Sequence, residues 1–214
     1  VQTCALPILL LQRITVLRAF FRSAFFIPTA CSYVVAAMIW RLSFFNGARF
    51  GLANTMLRSV GLDPVNWLGG ENHWYWFVLV SLRLWLQVGF YMILFIAGLN
   101  RIDRQVYEAA ALDGATGWRT FWNITLPLLR GTSVAVAMLL TINAFQAFDE
   151  FYNTLTTASG YPPYARPPLV YLYLVTFGSG SQDLGIGSAG TMIVTLVIVA
   201  FSLLQNRLLA IGSR

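Results

Sequence analysis

The chain has 214 residues, 57% of them hydrophobic and only 10% charged, with a formal net charge of +6. This composition excludes an ordinary soluble domain, and several stretches reach the roughly 20 apolar residues that a membrane-spanning helix needs. The positive charge is all arginine and forms no basic stripe with interleaved aromatics, which argues for anionic lipid headgroups as its partner and against nucleic acid.

In chain order, residues 1–8 (VQTCALPI) lack the basic start and long apolar run of a signal peptide and lead into no element. Arg13, Arg18 and Arg22 precede a first expected span over residues 24–44, where Pro28 permits a kink. Residues 45–72 form a glycine-rich loop in which GLANTMLRSVGL reads as a short interfacial helix. A second span, residues 74–99, opens with WYWF, a run of aromatics suited to a membrane boundary. A third span is expected over residues 131–148 and a fourth over 186–204. Between them lies a long loop containing PLVYLYLVTFG, which is too short to cross alone and reads as re-entrant or interfacial. The expected fold is an all-α, polytopic transmembrane helical bundle with about four spans.

The polar stretch 102–127, IDRQVYEAAALDGATGWRTFWNITLP, separates the second span from the third. Asp103 is placed to cap a helix that runs through the alanine-rich residues 107–112, and Gly114 ends it. Thr116 is placed to cap a second short helix, on which Trp118, Phe121 and Trp122 share one face. Pro127 fits the first turn of the following apolar segment.

Within this stretch, Glu108-Ala109-Ala110, three residues, Gly114, nine residues, Ile124, one residue and Leu126-Pro127 resemble the EAA signature of permeases from binding-protein-dependent ABC importers. The resemblance implies the type I ABC importer permease fold. It also implies that loop 102–127 is the coupling element, docking into a cleft of a cytoplasmic ATPase. Glu108 would meet a basic residue of the ATPase and Gly114 would permit the bend. Ala109, Ala110, Asp113, Ile124, Leu126 and Pro127 would complete the coupling set. The other reading of Glu108 is a pair with Arg104 on a solvated face, in the less favourable order for residues four apart. The FQxFD run at Phe145–Asp149 and the terminal LLQNRLL resemble the F-type subunit of maltose-type permeases. TASGYPP departs from that family's usual Gly-Gly-Pro.

What the resemblance implies is a permease subunit of a bacterial sugar importer in the plasma (inner) membrane. Its partners would be a G-type second permease, an ATPase dimer and an extracytoplasmic solute-binding protein. Family members carry two further helices ahead of the matching region. The chain is therefore expected to be N-terminally incomplete, with residues 9–214 as the transmembrane domain and residues 1–8 foreign to it. No Walker A sequence occurs, so ATP hydrolysis is assigned to the partner, and no cofactor is expected. The remaining readings are a permease for amino acids or peptides, or an ion-coupled secondary transporter. The last needs a carboxylate buried mid-span, and no carboxylate lies within an expected span.

With loop 102–127 inside, Arg13, Arg18, Arg22, Arg101, Arg104, Arg119, Arg130, Arg207 and Arg214 are cytoplasmic, while Arg41, Arg49, Arg58 and Arg166 are outside. The positive-inside rule favours that orientation. It gives the outer face Asp63, Glu71, Asp149, Glu150 and Asp183.

Arg83 stands inside the second span, where an arginine costs about 2.5–3.5 kcal/mol on insertion scales and so faces protein or a wet cavity. Gln87 and Phe90 continue its face. In sugar permeases that this region resembles, the equivalent stretch lines the sugar site, which implies a substrate path along Arg83, Gln87 and Phe90. Thr141, Phe145 and Phe148 recur at helical spacing as a matching stripe on the third span. Aromatic faces suit the apolar side of a sugar ring and hydroxyls its edges. The other readings are that Arg83 snorkels outward or pairs with Glu71 or Asp183, and that the phenylalanines are helix packing.

Gly185-Ile186-Gly187-Ser188-Ala189-Gly190 matches GxGxxG, but no strand precedes it and no acid follows. Close helix packing by small residues is the reading taken. Cys4, Cys31 and the single histidine, His73, support neither a disulfide framework nor a metal site.

Overall fold

A computed structural model describes residues 18–46, 50–69, 73–115, 117–157, 160–178 and 182–211. The segment 1–8 set aside above, Arg13, Arg49, Glu71, Thr116 and Arg214 lie outside these residues. Among the described residues every regular element is helical, apart from one isolated antiparallel bridge between Thr157 and Gly160.

Helix α1 (Arg18–Phe26) passes into a 3-10 turn, Ile27–Ala30, and α2 (Tyr33–Ile39) then continues as a π turn, Trp40–Phe44. The single first span expected over residues 24–44 is instead a bent pair, Phe20–Ala30 and Tyr33–Phe44, turning by 97°. Pro28 has no amide hydrogen to continue α1, and Ser32 starts a new helix by accepting from the Val34 amide at 3.3 Å. Helix α3 (Leu52–Ser59) falls within the expected interfacial stretch. It is tied down by the buried Asn54, whose Nδ2 donates to Val65 O at 3.0 Å. Its Oδ1 accepts from Val65 N at 3.0 Å and Trp67 Nε1 at 2.9 Å.

Helix α4 (Tyr75–Leu99) is 25 residues long and uninterrupted. After the polar helix α5 (Arg104–Leu112) comes α6 (Trp118–Leu128), which contains a π turn at Phe121–Thr125. Pro127 cannot donate to the carbonyl of Asn123, and the helix widens over the preceding turn. Pro127 therefore closes α6 and does not open the next span. The axis turns by 68° before α7 (Arg130–Phe145).

The expected third span over residues 131–148 is too long at its far end. α7 stops at Phe145, and Ala147 and Phe148 are not helical. Ala147 is buried and Phe148 packs against the same core cluster, so tertiary packing turns the chain there. The loop expected from Asp149 contains a short helix, α8 (Asp149–Leu155), whose two leading acids complement the positive end of its dipole. α9 (Pro168–Phe177) has 10 residues, too few to cross. α10 (Leu184–Ile211) follows.

Among the described residues two helices, α4 and the Leu184–Arg207 part of α10, are long and apolar enough to span a membrane, or four if each bent pair makes one span. The GxGxxG residues lie inside α10, where a Cβ on Gly187 would overlap Thr176 and one on Gly190 would overlap Leu172. Their role is close packing against α9, without a nucleotide-binding turn.

The chain divides into two compact units. Of the described residues, one comprises 18–27, 88–115, 117–141 and 202–211. Its core is Met92, Ile96, Leu99 and Leu129, packed by Phe21, Phe95 and Ile102. The other comprises Pro28–Gln87 and Ile142–Phe201 and holds two clusters. Tyr75, Leu79, Phe151, Leu155 and Val170 belong to the first, and Ala36, Ala37, Leu82 and Leu86 to the second.

Candidate functional site

Two polar features stand out against this apolar background, an exposed bent loop in one unit and a buried chain of hydrogen bonds in the other.

The loop is built as its residues dictate. Asp103 caps α5 by accepting from the Gln105 amide at 3.0 Å. Asp113 is the C-cap, and Gly114 follows with φ +74°, a left-handed conformation that ends a helix without Cβ strain. The cap of α6 is Gly117, with no side-chain hydrogen bond, while Thr116, expected to cap it, is not among the described residues. On α5, Ala110 is buried, whereas Glu108 and Ala109 face outward and Leu112 is 90% exposed. Glu108 pairs with Arg104, Nε to Oε1, at 3.0 Å, with side chains 62% and 90% exposed. The two limbs are tied by Tyr107 Oη and Thr125 Oγ1 at 3.3 Å, and the Thr120 hydroxyl donates to Ala115 O at 2.7 Å. Ile124 and Leu126 are half-buried, and Pro127 is exposed.

The buried chain begins at Tyr33 on α2, whose hydroxyl accepts from Gln87 Nε2 at 2.8 Å. Arg83 Nε donates to Gln87 Oε1 at 3.4 Å, one turn away on α4. The two terminal nitrogens of Arg83 donate to Glu150 Oε1 and to the carbonyl of Asn143. The Arg83 side chain is 23% exposed and that of Glu150 6%. Burial pushes the Glu150 carboxyl above its ordinary range, against its backbone hydrogen bond and the Arg83 guanidinium, which pull it down. Arg83 therefore does not pair with Asp183, and Glu150 leaves the acidic outer face to which it was assigned. A buried carboxylate exists after all, but its charge is held by an arginine.

Of the six residues expected on a path, Arg83 and Gln87 are brought together. The other four do different things. Phe90 is 40% exposed and meets Tyr91 edge-on. The Thr141 hydroxyl donates to Ala137 O of its own helix at 2.9 Å. Phe145 meets Phe201 edge-on at 5.7 Å. Phe148 is not on the same helical stripe, because α7 ends before it; it stacks on Tyr152 at 5.3 Å and meets Tyr173 at 5.1 Å. An apolar groove of about 1000 Å³ between α9 and α10 includes Phe148, Tyr173, Thr176 and Thr191 in its wall, but none of the other five path residues.

Sequence reasoning missed Glu150 and Tyr33. The signal at Glu150 was its place directly after Asp149, as two acids beside an apolar segment, but nothing local indicated which one turned inward.

The comparisons agree with this architecture. One solved structure, a bacterial ABC transporter that imports the acidic polysaccharide alginate, superposes with a TM-score of 0.83 over 99% of this chain and 72% of that one, at 23% identity. The arabinooligosaccharide permease AraP of Bacillus subtilis (strain 168) is 35% identical over 203 residues, 95% of this chain and 63% of AraP. The trehalose/maltose permease MalF of Thermococcus litoralis is 33% identical over 87% of this chain and 60% of MalF. The chain thus spans less than two thirds of the length of these two relatives. A family model matches residues 8–211, and with the helical architecture it shows that this chain belongs to the inner membrane components of binding-protein-dependent transport systems.

Proposed function

We propose that this chain is a permease subunit of an ATP-driven sugar importer, in which loop 102–127 couples a membrane path to a separate ATPase. The observation that carries the reading is the loop. An exposed helix, capped by Asp103 and ended by a left-handed Gly114, presents Glu108 and Leu112 outward, next to the long apolar helix α4. A rigid projecting limb tied to its neighbour by Tyr107 and Thr125 suits the transmission of motion. In this reading Glu108, Ala109, Asp113 and Gly114 form the docking end, and Ala110, Ile124, Leu126 and Pro127 support it from behind.

The sugar class is supported by AraP and MalF, which are named for oligosaccharide and disaccharide transport. In this reading Arg83 and Gln87 supply donors to the path, and Phe90, Thr141 and Phe145 are further path residues on their own elements. Phe148 is moved from that stripe to the aromatic cluster with Tyr152 and Tyr173. The partners are a second permease, an ATPase dimer and a soluble binding protein; a structurally similar bacterial alginate ABC transporter has been crystallised with an alginate pentasaccharide-bound periplasmic protein.

The test is ATPase activity stimulated by the binding protein in the complete reconstituted importer. Glu108→Lys reverses the docking charge, and Gly114→Pro imposes a negative φ where the loop needs a positive one. Both variants are expected to insert normally and lose stimulation. Wild-type stimulation in both would exclude the loop as the coupling element.

A further inference from the structure

Beyond the coupling role of α5, the second limb of the loop carries an exposed aromatic surface of its own. Trp118 is 69% and Trp122 51% exposed on α6. With Phe121 they form a compact cluster: Trp118 stacks on Phe121 at 5.6 Å, and Trp122 meets Trp118 and Phe121 edge-on at 5.9 and 5.7 Å. Away from the tryptophans α6 turns inward: Thr120 and Ile124 are half-buried, Thr125 is buried, and Leu129 beyond it enters the core of the unit. Arg119 and Asn123 are exposed beside the two tryptophans, so the outward side of α6 pairs indole rings with polar groups.

What covers this surface follows from its attachment. Only Leu129 separates α6 from α7, the expected third span, whose 16 residues reach about 24 Å, most of the hydrocarbon core of a bilayer. The end of α6 is therefore at the level where that span meets water. Spans tilt by about 20° on average, so a turn of 68° leaves α6 lying closer to the membrane plane than to its normal. An indole has a wide apolar face and one N–H donor, and it gains most where hydrocarbon and water meet. Arg119, exposed beside Trp118 on the same segment, suits an anionic leaflet.

We infer that the Trp118–Trp122 face of α6 is seated in the lipid headgroup layer and fixes the depth of the loop, leaving α5 to project into water. The occupant is lipid and not the ATPase. The inference needs only that α7 crosses the membrane, so it stands or falls separately from the coupling role of Glu108.

The test uses the complete importer without native cysteines, reconstituted in vesicles of phosphatidylethanolamine and phosphatidylglycerol. Spin labels are placed singly at positions 112, 118, 119 and 122. Relaxation enhancement is compared between oxygen, which partitions into lipid, and a water-soluble nickel chelate. Labels at 118 and 122 are expected to show an oxygen-to-nickel ratio several-fold above those at 112 and 119, unchanged when the ATPase subunit is omitted. A ratio at 118 and 122 equal to that at 112 overturns the inference. So does shelter from both reagents that is relieved on omitting the ATPase, which would assign the face to protein. Should the labelled variants fail to assemble, the parent and the Trp118→Phe/Trp122→Phe double variant are compared in lipids brominated near the headgroup. Loss of a shallow-quenched fraction in the variant supports the inference, and no difference overturns it.

Discussion

Arg104 and Glu108 sit one turn apart on α5 with side chains 90% and 62% exposed, whereas Arg83 and Glu150 are 67 residues apart with side chains 23% and 6% exposed. The ionic groups are the same, and the environments make them different objects. Between exposed groups water and salt screen most of the attraction, so the α5 pair contributes about 0.5 kcal/mol at most. Its carboxylate remains available to another partner. In the other pair the Glu150 carboxylate has left water and the Arg83 guanidinium has largely done so, and the attraction serves mainly to offset that loss. The rise of the Glu150 carboxyl above its ordinary range, with burial as the first cause, has the same origin. A buried pair is therefore weak evidence of added stability but strong evidence of mutual dependence.

That dependence sets the largest expected effect. Arg83→Met leaves Glu150 buried without its counter-charge and is expected to cost about 3–5 kcal/mol. It should appear as a lowered thermal unfolding midpoint of the purified protein in detergent. The double variant Arg83→Met/Glu150→Leu is expected to recover most of that loss, because neither charge then remains to be compensated. A single variant as mild as one on α5 would show that the pair is not buried in the working protein.

A neutral buried group should fall between the two pairs. Asn54→Ala deprives Val65 N, Val65 O and Trp67 Nε1 of their partner in a closed environment. The expected cost is about 1–3 kcal/mol, read as the same midpoint shift, with faster amide exchange over residues 62–67. Unchanged exchange there would mean that the loop is held by something else.

On the exposed loop the effects shrink. Asp103→Ala removes the cap of α5 and is expected to cost about 1 kcal/mol, localised as faster exchange at residues 104–107. Glu108→Ala is expected to shift stability by less than about 0.5 kcal/mol, and Arg104→Ala should add to it without coupling. A coupling energy well above that figure would erase the contrast between the pairs.

Much of this molecule was written locally. The helix under Tyr107–Leu112, its Asp103 cap and its stop at Gly114 all depend on residues within one or two turns of each other, and the observed α5 has those features. Helix α4 announces itself as an unbroken apolar run of membrane length, and α9 as one too short to cross. The family match, too, agrees with the EAA spacing. The misses share one cause. Pro28 marked a place where a helix is free to bend, but a turn of 97° depends on what the two arms then pack against. The apolar run through Phe148 reads as a continuing helix, yet Phe148 gains more by joining Tyr152 and Tyr173.

Glu150 is the sharpest case. Nothing within a few residues distinguishes it from Asp149, and its partner lies on a helix 67 residues earlier. Local propensity and hydrophobic length are properties of neighbours along the chain, so sequence alone determined the long apolar helices α4 and α10, the capped loop and the family to which they belong. Which carboxylate is buried, and which arginine it neutralises, depends on surfaces that meet only when distant helices pack. Only the tertiary structure decided that.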